Sequence, residues 1–137
     1  MYFDATELYQ APLTPPNEDR LKSLFTCLGS KKTEYITGAN IFMVGAGAIG
    51  CELLKNFAML SLGTKGKITL TDPDFIEVSN LTRQFLFREK HLRKPKSGTA
   101  AAAVIQMNDN LKGHIDARLD KLHDETSSTY TEAFFAS

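Results

Sequence analysis

The chain is poor in cysteine, has no run of apolar residues long enough to cross a bilayer, and carries no net charge, with 16 basic and 16 acidic side chains among 137 residues. Each absence removes a class of function. Cys27 and Cys51 lie far apart and form no C-x-x-C pair, which argues against a disulfide framework or a zinc site. Without a long apolar run a membrane-spanning helix is not expected, and Met1 to Glu7 lack the basic start and apolar middle of a signal peptide, so the reading is of an intracellular, soluble chain. Balanced charge gives no global electrostatic case for nucleic acid or for an anionic membrane surface. His91, His114 and His123 are scattered without ligand spacing and read as surface or loop residues. There is no internal repeat and no low-complexity block. The length bounds the chain to one domain at most.

What is present is a glycine pattern in a telling place. Val44-Gly45-Ala46-Gly47-Ala48-Ile49-Gly50 follows the apolar run Ile41-Phe42-Met43-Val44, which has the length and composition of a strand buried in a parallel sheet. Gly45 is suited to a sharp turn out of that strand, Gly47 to leaving room for a phosphate, and Gly50 to close packing of a helix on the sheet. The helix N-terminus then offers unpaired N–H groups to an anion. Leu53, Leu54, Phe57, Ala58, Leu60 and Leu62 predict an amphipathic helix ending near Gly63. Lys67 to Asp72 reads as a second strand, closing a β-α-β unit. Asp72 stands at its end, about 20 residues past the glycines, where such a unit places a ribose-binding carboxylate.

The remainder is simpler. Residues 1–16, with Pro12, Pro15 and Pro16, read as a linker or irregular segment, and residues 17–137 as part of a nucleotide-binding domain. Asn17 is suited to cap a helix that Gly29 stops. Lys94-Pro95-Lys96-Ser97 opens an alanine-rich helix over residues 99–107, residues 115–122 alternate as a third strand, and Tyr130 to Phe135 suits another helix start. The fold class is α/β: a Rossmann-like, three-layer arrangement with a mostly parallel sheet, expected to be truncated because only three strands are visible. Cys51 reads as a small core residue, with a reactive thiol as the alternative. Phe85, Leu86 and Phe87 read as core, or as aromatics exposed at a subunit contact. Asp74 and Glu77 read as solubilising loop residues, and Arg88, Lys90, Arg93 and Lys94 as a solvated basic edge. Asn80, Arg83, Gln84 and Lys96 follow Asp72 closely enough to form a phosphate-handling set, because a guanidinium and an ammonium are strong phosphate donors.

Three segments, GAGAIGCELLKNFA, TDPDFIEVSNLTRQFLFR and KPKSGTAAAA, resemble in order and separation the active adenylation half of eukaryotic ubiquitin-activating enzymes, of the ThiF/MoeB-type fold, over residues 20–137. The TDPD and KPKS variants resemble a divergent branch found in animals. The resemblance implies ATP-dependent adenylation of the C-terminal carboxylate of ubiquitin or a ubiquitin-like protein, followed by transfer to a cysteine elsewhere in the enzyme. It implies that Gly45, Gly47, Ala48 and Gly50 line the nucleotide and that Asp72 binds the ribose. Asn80, Arg83 and Lys96 would contact phosphates with Gln84 in support, Arg83 and Lys96 being the catalytic pair, while Arg20 would reach toward a partner half. ATP and Mg2+ are the implied cofactors, the magnesium ligand and the cysteine domain being expected beyond Ser137. The implied partners are the modifier, a pseudo-symmetric adenylation half and, through other domains, a ubiquitin-conjugating enzyme, with localisation in the cytoplasm and the nucleus as a further option. Thr82 and Gly98 depart from the family pattern. The alternatives are a non-catalytic nucleotide- or partner-binding fragment and, from the glycine motif alone, an NAD-binding oxidoreductase.

Overall fold

The computed structural model describes residues 19–126 and 128–136. The linker expected over 1–16 and the cap expected at Asn17 therefore lie outside the described residues. Helix α1 spans Asp19–Thr37, but Gly29 within it is non-helical (φ 77°, ψ 171°). Gly29 thus interrupts the helix as its sequence suggests, and the chain then resumes helical geometry, which the sequence reading did not anticipate. A left-handed φ is accessible to glycine at little cost.

Strand β1 (Asn40–Val44), helix α2 (Ala48–Met59) and strand β2 (Lys67–Thr71) form the β-α-β unit, with β1 and β2 parallel in the register Asn40 to Lys67 through Val44 to Thr71. Helix α3 (Lys96–Met107) leads to strand β3 (Ile115–Arg118), which pairs parallel with β2 from Ile68 opposite Ile115 to Thr71 opposite Arg118. The sheet order is β1-β2-β3. Helix α3 begins earlier than expected, directly after Pro95, a residue that favours the start of a helix. Strand β3 ends earlier than residue 122: its pairing with β2 stops at Arg118, and Leu119 and Leu122 beyond it are half exposed.

Alternation along the strands divides the two faces of the sheet. Ile68 and Leu70 of β2 and Met43 of β1 join Cys51, Leu54 and Ala58 of α2 and Ala100 and Val104 of α3 in the buried core. Leu86 and Phe87 are part of it. On the other face Phe42 meets Tyr130, Phe134 and Phe135, with ring centroids 5.0 to 5.4 Å apart; the two phenylalanines belong to the short helix α4 (Glu132–Phe135). Arg118 lies over the Tyr130 and Phe134 rings. The sheet thus sits between α2 and α3 on one side and an aromatic cover on the other, in a Rossmann-like α/β arrangement. No helix among the described residues is long and apolar enough to cross a membrane.

Candidate functional site

The glycine turn leaves β1 with Gly45 at φ 94°, a conformation that side chains other than glycine's rarely adopt. Its N–H donates to Thr71 O at 2.8 Å, binding the turn to the end of β2. A Cβ on Gly50 would fall 2.3 Å from Gly45 O and 3.0 Å from Met43 Cε, so only glycine allows this approach of helix to turn. A Cβ on Gly47 would meet nothing within 4 Å. Open space therefore stands above the turn at that residue. Gly47 is also the N-cap of α2, with no side-chain cap, which leaves the first helical N–H groups, beginning at Ala48, to bind an anion.

Asp72 is buried and faces this turn. Its Oδ2 accepts the Ala46 N–H at 2.6 Å and its Oδ1 accepts the Asp74 N–H at 2.8 Å. Asp74 in turn accepts from the Lys96 ammonium through Oδ2 at 2.8 Å, while its backbone O accepts the Lys96 N–H at 2.9 Å. One hydrogen-bonded path therefore runs from the glycine turn through Asp72 and Asp74 to Lys96. The Lys96 side chain is 10% exposed and that of Asp74 65% exposed, so the ammonium is set into the protein with its carboxylate partner at the rim. Asp74, read as a solubilising loop residue, is instead the link between the turn and the buried lysine. Its signal in the sequence was weak, since an acid two residues past a strand end is common.

Asn80, Arg83 and Gln84 belong to the turn that follows. Asn80 is buried, and its Oδ1 accepts the Glu77 N–H at 2.9 Å across the 3-10 segment Val78–Thr82. Glu77 is thus bound into the turn by its backbone. Arg83 is exposed and donates through Nη1 to Ser79 O at 2.8 Å. Gln84 is buried, and its Oε1 is a sealed oxygen without a hydrogen-bond partner. Such an orphan costs about 1–3 kcal/mol. The chain then runs along α2, where the Lys55 ammonium stands 5.3 Å from the Phe85 ring centre, while the Cys51 thiol donates to Ala46 O at 3.7 Å. Burial pushes that thiol up from its ordinary value, which fits Cys51 as a core residue and not as a nucleophile.

Arg20 is placed elsewhere. Its Nη2 donates to Met107 O at 2.8 Å, at the opposite end of α3 from Lys96. It caps a helix C-terminus within its own chain.

The family model for the ThiF family matches residues 20–136. The chain belongs to the ThiF family. Among the curated relatives of this ThiF chain, ubiquitin-like modifier-activating enzyme 6 of Mus musculus is 46% identical over 144 aligned positions, covering 98% of this chain and 14% of the relative. Ubiquitin-activating enzyme E1 1 of Candida albicans is 46% identical over 145 positions, with the same coverages. The chain thus spans about 14% of the length of these relatives. Among solved structures, the E. coli tRNA N6-threonylcarbamoyladenosine dehydratase TcdA in complex with AMP superposes with a TM-score of 0.75 at 21% identity, over 89% of this chain and 48% of that one. E. coli MccB with AMPCPP and MccA gives 0.70 at 24%, over 93% and 39%. These likenesses show that the ThiF chain shares their fold.

Proposed function

We propose that this ThiF chain is the nucleotide-binding part of an enzyme that uses ATP to adenylate the C-terminal carboxylate of ubiquitin or a ubiquitin-like modifier. The observation that carries the reading is the path from the glycine turn through Asp72 and Asp74 to Lys96, in a chain 46% identical to a modifier-activating enzyme.

The residues fit ATP. The space over Gly47 and the uncapped start of α2 suit a phosphate, and Lys96 supplies a cation. When bound, ATP supplies an electrophilic phosphorus for the carboxylate and pyrophosphate as leaving group. This chain's own residues orient and neutralise. Asp72 offers fixed acceptors to ribose hydroxyls, Asn80 shapes the turn that carries Arg83, and Arg83 and Lys96 hold phosphate oxygens as charge shifts. Magnesium accompanies the triphosphate. The modifier, a second pseudo-symmetric adenylation half and a ubiquitin-conjugating enzyme complete the assembly in this reading, in the cytoplasm. Residues 17–137 form one unit of the adenylation domain.

A second reading is nucleotide binding without turnover. Calorimetric titration of the 137-residue chain separates the possibilities. Saturable binding of Mg-ATP, absent with NAD and weakened about tenfold in Lys96→Ala, supports the site. Equal heats for NAD and Mg-ATP, or an unaffected variant, would overturn it. ATP–pyrophosphate exchange by the chain then distinguishes catalysis from binding alone.

A further inference from the structure

Three of the cations assigned to a solvated edge line one groove. Arg88, Lys90 and Lys94, together with His91, rim a depression of about 600 Å³ whose floor is made by Phe85, Ala102, Ala103 and Met107. No carboxylate lines it, and among the described residues none of the three cations has an ion-pair partner within 4.0 Å. Glu89, adjacent in sequence, does not line the groove. Arg88 is fixed at the rim, since its Nη1 donates to Phe85 O and, at 2.8 Å, to Phe87 O. Burial, with the charges of Lys90, Lys94 and Arg88, holds His91 below its ordinary value, which registers the local excess of positive charge. The α3 side of the groove carries small groups: Gly98 and Ala102 are exposed, and a Cβ on Gly98 would meet nothing within 4 Å.

We propose that this groove docks an acidic peptide segment of a partner protein, with carboxylates on Arg88, Lys90 and Lys94 and an apolar side chain on the Phe85–Ala102 floor. Charge complementarity selects the sign of the partner, because a like-charged occupant would be repelled by an uncompensated cationic rim. The floor selects peptide over nucleic acid. Bases bind proteins by stacking on open aromatic faces, whereas the Phe85 ring already faces the Lys55 ammonium and the remaining floor is aliphatic. A helix wall of glycine and alanine lets a backbone approach closely and leaves room for its side chains. The groove shares no side chain with the Asp72–Asp74–Lys96 path, so the proposal stands apart from the nucleotide reading.

The test uses the full 137-residue chain and a short fluorescein-labelled peptide alternating glutamate and leucine, with affinity read by anisotropy and position by amide shifts in a nitrogen-15 spectrum. The expected result is saturable binding, shifts concentrated at Gly98, Ala102 and Lys94, and about tenfold or greater weakening in the double variant Lys90→Glu/Lys94→Glu with unchanged thermal melting. Ala102→Trp, which fills the floor and leaves the rim charged, is expected to weaken binding as much and serves if the charge reversal alters folding. Equal affinity for a glutamate-only peptide would remove the apolar anchor and overturn the proposal. So would displacement of the peptide by oligo-dT at lower concentration, which assigns the groove to nucleic acid, or self-association abolished by the double variant, which assigns it to a second copy. Shifts confined to another surface overturn it equally.

Discussion

Lys94 and Lys96 are separated by one proline, yet they belong to regions organised in opposite ways. Lys96 lies sunk in the protein at the end of a path of hydrogen bonds that begins at the glycine turn. Lys94 stands on the exposed rim of a groove whose cations have no carboxylate facing them. The first region pairs its ammonium with a carboxylate of the same chain; the second leaves its cations without one. The difference shows that a lysine's role here is decided by what the folded chain places opposite it, Asp74 for Lys96 and an open groove for Lys94.

Substitutions can break this contrast, beginning with the turn. Gly50→Val forces a Cβ against Gly45 O, a backbone atom that cannot swing away, and is expected to cost about 3 kcal/mol or to prevent folding, as read by urea denaturation. Asp72→Asn replaces an acceptor of two backbone N–H groups by an amide with one oxygen, leaving a donor facing a donor. A loss of about 2 kcal/mol is expected in the same measurement. The two lysines sharpen the comparison directly. Lys96→Met should cost about 1 kcal/mol, its partner being well exposed and screened, whereas Lys94→Met should stay within about 0.5 kcal/mol of the parent. Equal effects would erase the distinction between the regions.

A small effect is also expected at a third site, where a carboxylate is paired with two cations of the sheet. Asp116 Oδ2 accepts from Arg118 Nη2 at 3.0 Å and lies 3.3 Å from Lys67 Nζ. Burial alone would raise its titration, but hydrogen bonds and charges from Arg118 and Lys67 outweigh that and hold the carboxyl below its ordinary range. A depressed folded value means that the stabilisation is present above the unfolded value of about 3.9 and is lost as pH falls through the folded one. Since Asp116 is partly exposed, the effect is expected to stay under about 1 kcal/mol. Asp116→Asn should flatten the loss of stability below about pH 4, measured by thermal melting across pH.

Much of the framework was legible in the sequence for local reasons. Apolar runs marked β1 and β2, the change of period marked α2, and the glycines announced a turn whose φ at Gly45 only that residue readily adopts. Local pattern failed where the outcome depended on distant partners. Ala46 meets Asp72 across 26 positions, and nothing near Asp74 indicates that it holds Lys96. Residues 119–122 alternate like a strand, yet with Leu119 and Leu122 half exposed they lie beyond the pairing of β3 with β2. The basic residues 88, 90 and 94 read as an edge because the groove between them exists only once α3 forms its opposite wall.

A carboxylate gripped by amides at both oxygens cannot pivot to follow a mobile guest. The orientation of Asp72 is therefore settled when the chain folds, and in the proposed function a sugar would have to bring its hydroxyls to the carboxylate. In the proposed site, that rigidity keeps the entropy of ordering the turn out of the binding equilibrium and makes the loss of a single sugar hydroxyl felt in full.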